Sequence, residues 1–103
     1  MILVNTESIP GKEFEAITIV KGSTVRAKDL GRTFLSKLEA LAGGELPEIV
    51  NLLEESRHIA TKKMIEEAKK LGADAVVNVR YMTSEIMQDV AEIMVYGTAV
   101  KFK

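Results

Sequence analysis

The sequence predicts an α+β fold: a single-domain β-β-α-α-β-β chain in which one mostly antiparallel sheet carries two helices on one face. Three observations predict it. Apolar and β-branched runs lie at both ends of the chain, two stretches of helical spacing occupy the middle, and no linker, internal repeat or low-complexity segment divides the 103 residues. A chain of this length holds one two-layer core and lacks the bulk for a second domain or a deep private active site.

The first element, Met1 to Val4, is a short apolar strand closed by Asn5, Thr6, Ser8 and the turn dipeptide Pro10-Gly11. From Phe14 to Val25 the β-branched residues Ile17, Thr18, Ile19, Val20, Thr24 and Val25 predict a long strand, with Gly22 and Ser23 as a bend or bulge. The period then changes. Leu30, Phe34, Leu38 and Leu41 recur at spacings of four and three, so a helix is expected over 28–42, with Asp29 near its start and Gly43-Gly44 as its stop.

Pro47 suits the first position of a second helix, Glu48 favours the positive end of its dipole, and Gly72 caps it after Leu71. Ile49, Leu53, Ala60, Met64 and Leu71 make its apolar stripe, with Ser56 and Glu67 on the same side. Two further strands, Ala75 to Met82 and Glu92 to Phe102, joined by the polar TSEIMQDV, predict a hairpin.

In the last strand Ile93, Val95, Gly97 and Ala99 alternate with Met94, Tyr96, Thr98, Val100 and Phe102, so both faces carry apolar residues. Helices on one side cover only one of them. The other face is expected to bury itself against a copy of the same chain.

Composition excludes several functions. Fourteen basic and fifteen acidic side chains leave a formal net charge of −1, interspersed along the chain, so neither nucleic acid nor an acidic membrane is an expected partner. KKMIEEAKK reads as a solvated helix face, without the aromatics that interleave basic residues in nucleic-acid binders. The chain has no cysteine, which removes disulfides, thiolate ligands and thiol nucleophiles together. MILVNTESIPGKE has no basic leader and a four-residue apolar run too short for a signal or membrane segment, so a cytoplasmic location is expected.

Four stretches carry a resemblance: the opening strand with PGKE, the AGGELPE turn, the AKKLGADAVVNVRY passage and the terminal VYGTAVKF. Together, over nearly the whole chain, they resemble the YbjQ-like family, small prokaryotic proteins described as heavy-metal-binding and of unknown function. The resemblance implies a small β/α subunit assembled into a closed ring, a homopentamer, and a bound metal ion. It implies no catalytic residues.

For a divalent metal ion the candidates are His58, the only histidine, and Glu54 one helical turn before it. That spacing puts both on one face where an ion could bridge them. The competing reading is a solvated histidine beside a solvated glutamate, since His58 lies opposite the apolar stripe and two ligands bind weakly. Met82, Met87 and Met94 could serve copper(I) as thioethers, although methionine more often fills cores. Within one subunit a tight site is not expected; symmetry would have to bring ligands from several copies together.

The stretch GADAVVNVRY holds the other candidate. Simple strand alternation places Val76, Asn78, Arg80 and Met82 on one side and Ala75, Val77, Val79 and Tyr81 on the other. Asn78 and Arg80, with the hydroxyls of Tyr96 and Thr98 from the last strand, would form a polar patch for a carboxylate or phosphate, or an inter-subunit contact in which Arg80 meets Glu85 or Glu92. Gly43-Gly44 matches no phosphate-binding loop, no GxSxG elbow is present, and no acid pair stands out. The expected function is therefore a non-enzymatic, homo-oligomeric binding protein for a metal ion, or alternatively a structural or small-ligand-binding ring with a polar cleft between subunits.

Overall fold

A computed structural model describes the backbone of residues 1–27, 47–87 and 90–103, and the side chains of residues 1–25, 50–87 and 90–103. Among these residues the chain forms strand β1 (Ile2–Leu3), strand β2 (Phe14–Ala27), helix α1 (Pro47–Lys70), strand β3 (Ala75–Met87) and strand β4 (Val90–Phe102). The helix expected over 28–42 and its Gly43-Gly44 stop lie outside the described residues. The sheet order is β1-β3-β4-β2. β3–β4 and β2–β4 are antiparallel, while β1 runs parallel to β3, so the sheet is mixed with a single parallel pair.

The β3–β4 pair is longer than expected. Thr83 to Met87, anticipated as part of a polar connection, continue β3 opposite Ile93 to Val90.

Helix α1 packs on one sheet face through Ser56, Ala60, Met64 and Ala68, four buried residues spaced by four. Ala60, Met64 and Ala68 meet Val20, Val76, Val95 and Ala99, the main core. The anticipated stripe is right at Ser56, Ala60 and Met64 and off at its end: Glu67 is exposed with Ala68 buried in its place, and Leu71 is exposed, because the helix has already stopped at Lys70. Gly72, at φ 74°, forms the cap. Its N–H donates to the Lys69 carbonyl at 3.0 Å and the Ala73 N–H to the Ala68 carbonyl at 3.1 Å, a Schellman arrangement that needs a left-handed residue at this position.

The small residues on α1 let it lie very close to β2. A Cβ built on Gly22 would fall 2.0 Å from the Ala60 carbonyl oxygen and 2.6 Å from the Met64 nitrogen. Gly22 therefore marks backbone-to-backbone contact rather than the bend its sequence suggested.

A second, smaller cluster lies on the opposite face. Ala75, Val77 and Val100 are buried there, packed by Val4, Ile9, Phe14 and Phe102. The chain covers this end of the face with its own N-terminal segment, which turns at Pro10-Gly11: Gly11 sits at φ 76° and the Lys12 N–H donates to the Ile9 carbonyl at 3.1 Å, as in a type II turn. Among the described residues nothing covers the rest of that face. Ile19 is 69% exposed, Val25 54%, Met82 44% and Met87 62%.

Candidate functional site

The polar candidates of β3 are rearranged by a β-bulge. Val77 pairs with Thr98 and Arg80 with Tyr96, so Asn78 and Val79 together oppose Gly97 alone. Asn78 adopts φ 54°, a left-handed conformation that asparagine tolerates better than most residues, and its N–H donates to the Thr6 carbonyl at 3.0 Å. The extra residue reverses the parity of the strand. Arg80 and Met82 share the open face with Ala75 and Val77, whereas Tyr81 shares the helix face with Val76. The simple alternation that grouped Val76, Asn78, Arg80 and Met82 is thus corrected: Arg80 stands beside Tyr96 as expected, but Asn78 is spent on the bulge.

Across the open face Arg80 pairs with Tyr96, and Tyr96 pairs on its other side with Lys21 of β2. Thr98 lies one step along, between Val77 and Ile19. A row of two cations around a phenol results. Lys21 was not legible in advance, because its place depends on the β2–β4 register, which shifts at a bulge between Ala16 and Thr18.

Glu54 and His58, the candidate metal ligands, are both exposed on α1 and line one cleft of about 380 Å³ with Arg57, Thr61 and Tyr81. Arg57 donates to the Glu54 carboxylate as an ion pair one turn apart. The Thr61 hydroxyl lies 2.7 Å from the Arg57 carbonyl and 2.9 Å from the Tyr81 hydroxyl. A hydroxyl has one proton; Thr61 gives it to the carbonyl, so Tyr81 donates to Thr61. Arg57 and Thr61, three and seven residues after Glu54, were readable as sharing its helix face. Tyr81 was not, since the bulge alone turns it toward the helix.

This cleft fits a metal ion poorly. No group of three or more histidine, cysteine, aspartate or glutamate side chains gathers among the described residues. The one carboxylate beside His58 is already held by a guanidinium, whose positive charge opposes a second cation. Met82 and Met94 face each other across β3 and β4, but Met87 pairs with Val90 several steps away, so the three thioethers do not converge.

One carboxylate with a clear role lies elsewhere. Asp74 follows the helix cap and accepts the Phe102 N–H at 2.8 Å, with Lys101 Nζ at 3.5 Å. The Phe102 backbone hydrogen bond, helped by the Lys101 charge and outweighing a smaller desolvation effect, holds its pKa below the ordinary aspartate value. It ties the end of β4 to the start of β3 and carries no site.

No helix among the described residues is long and apolar enough to cross a membrane. The fold has a solved counterpart: a crystal structure of a protein of unknown function from Pediococcus pentosaceus, of the DUF74 family, matches with a TM-score of 0.71 over 100% of this chain and 98% of that one, at 12% identity. At that identity the likeness is one of fold. Sequence relatives stand much nearer. A UPF0145 protein of Clostridium novyi is 60% identical over 98% of both chains, one of Alkaliphilus metalliredigens 56% over 99% of both, and one of Thermus thermophilus 52% over 99% of this chain and 91% of its own. Residues 1–103 match the family model YbjQ_1, whose description reads "Putative heavy-metal-binding". With that match over the full length and relatives at 47–60% identity, the chain belongs to the YbjQ family of UPF0145 proteins, small α+β proteins whose function is not established.

Proposed function

We propose that the protein is a cytoplasmic, non-enzymatic binding protein that works as a closed homo-oligomeric ring, a pentamer by its family resemblance, assembled through the open face of its sheet. The observation that carries this reading is the apolar surface on that face: Ile19, Val25, Met82 and Met87 lie between 44% and 69% exposed beside half-buried Met94 and Tyr96. Large apolar side chains this exposed on one sheet face, among Lys21, Ser23, Arg80 and Glu92, are costly in water, and an identical subunit is the partner always at hand. The Arg80–Tyr96–Lys21 row fits the same role, since arginine and tyrosine are enriched at interfaces and carboxylates such as Glu85 and Glu92 are present on every copy.

Native mass spectrometry tests the assembly. The unmodified protein is expected as one closed oligomer, and Ile19→Lys with Met82→Lys, which place two charges on the open face, should reduce it to single subunits. A wild-type mass of one subunit at micromolar concentration removes the proposal.

A second reading keeps the metal named in the family description. Glu54 and His58 do line a common cleft, and a neighbouring subunit would have to supply the missing ligands. On this reading His58→Ala lowers the metal content per subunit found by elemental analysis of the purified oligomer; an unchanged content eliminates these residues as ligands.

A further inference from the structure

The geometry points to a small oxyanion, a carboxylate or phosphate group on an organic body, as the ligand of the cleft between α1 and Tyr81, with Arg57 and His58 as its donors. Arg57, His58 and Thr61 reach this cleft from one helix and Tyr81 from the bulge-shifted strand, lining an open cleft of about 380 Å³, a volume in the range of small-ligand sites.

Hydrogen-bond bookkeeping decides what the walls offer. Thr61 gives its only proton to the Arg57 carbonyl and accepts that of Tyr81, so both hydroxyl protons are committed to protein atoms. The donors left to face a ligand are the guanidinium and the imidazole. Glu54 engages one terminal nitrogen of Arg57, and a planar guanidinium has a further edge that matches the two oxygens of a carboxylate or phosphate. His58 follows Arg57 directly and offers a ring N–H in either tautomer. The half-exposed Tyr81 ring, anchored through its hydroxyl, supplies a flat apolar wall for the organic body.

The charge pattern separates this ligand from a metal. An anion adds to the Glu54–Arg57 pair on its cationic side, against the repulsion of the Glu54 carboxylate that also lines the cleft, whereas a divalent cation would have to take Glu54 away from Arg57 and sit beside its charge. The inference rests on the fold of one subunit and does not depend on the assembly proposed above.

The test titrates phenylphosphate, benzoate and inorganic phosphate into the intact protein, with calorimetry and with NMR of the imidazole, which comes from a single histidine and needs no assignment. Saturable phenylphosphate or benzoate binding with a shift of the His58 resonances is expected, tighter than inorganic phosphate because of the Tyr81 wall. Arg57→Gln should weaken it on the order of tenfold or more, as for loss of a charged hydrogen bond. Arg57→Lys, keeping the charge without the fork, should fall between. Under the same conditions Arg57→Gln leaves zinc binding unchanged or tightens it. Absence of saturable binding, or equal affinity in Arg57→Gln of unchanged native mass and circular dichroism, overturns the proposal; parallel loss of zinc and phenylphosphate binding in that variant overturns it in favour of a metal site.

Discussion

Asp74 and Asn78 show how single polar residues set the local geometry. Asp74 accepts a backbone N–H from Phe102 in the folded state, which keeps its pKa low. A carboxyl with a folded pKa below its unfolded value contributes stability that is present above the unfolded pKa and lost as pH falls through the folded one. Asp74→Asn should therefore lower the melting temperature at neutral pH. The gap to the wild type should hold down to about pH 5 and close as the pH drops below the usual aspartate range. Thermal melts between neutral and strongly acidic pH check this, and a gap that widens toward acid would refute it. Asn78 works through conformation instead, its left-handed φ of 54° making the bulge that turns Tyr81 to the helix and Arg80 to the open face. A sequence reading that counts residues in twos cannot see such a reversal, and both candidate sites depend on it.

At the level of elements, the pairing of α1 with β2 is governed by small residues. Ala60 on the helix and Gly22 on the strand allow main chain to approach main chain, and Lys63 reaches over to donate to the Ser23 carbonyl at 3.0 Å. Gly22→Ala places a methyl inside that contact, where the obstructing atoms are backbone and cannot rotate away. A loss of about 3 kcal/mol is expected, at the upper end for overpacking, measured by chemical denaturation. A change below about 0.5 kcal/mol, as for an ordinary surface substitution, would mean that the helix is not seated as described. Gly97 on β4 is confined in a similar way, with a Cβ there falling 2.6 Å from Val76 Cγ1. The strand β2, the helix from Pro47, its Gly72 cap and the existence of the terminal hairpin were all readable from periodicity and punctuation. The bulges, the extension of β3 to Met87 and the parallel β1–β3 pair were not, since each depends on which strands meet and in what register.

For the whole molecule, shape and surface agree. The Cα atoms have a radius of gyration of 16.4 Å and extents of 52 × 24 × 16 Å. A compact domain of this length has a radius near 13 Å, so the chain is thin and long for its size and its sheet is the broad surface it presents. On the proposed assembly a neighbouring copy buries this broad surface, and the charges introduced by Ile19→Lys and Met82→Lys oppose that burial. Sedimentation of the double variant should give the mass of one subunit with the frictional signature of an elongated particle. A compact sphere would contradict the shape, and a retained oligomer would move the interface off this face.

The sequence by itself determined the class of fold, the succession of strands and long helix along the chain, the two-sided apolar character of the last strand, the absence of thiol chemistry and the membership in the YbjQ family. It also put Glu54 and His58 on one helix face, because helical spacing is a local property of the chain. Only the tertiary structure decided that Tyr81 closes the cleft, that Lys21 joins Arg80 and Tyr96, and that the N-terminal segment covers one end of the second face. These facts follow from register, bulges and side chains distant in sequence, and their energies come from contacts that no local pattern encodes.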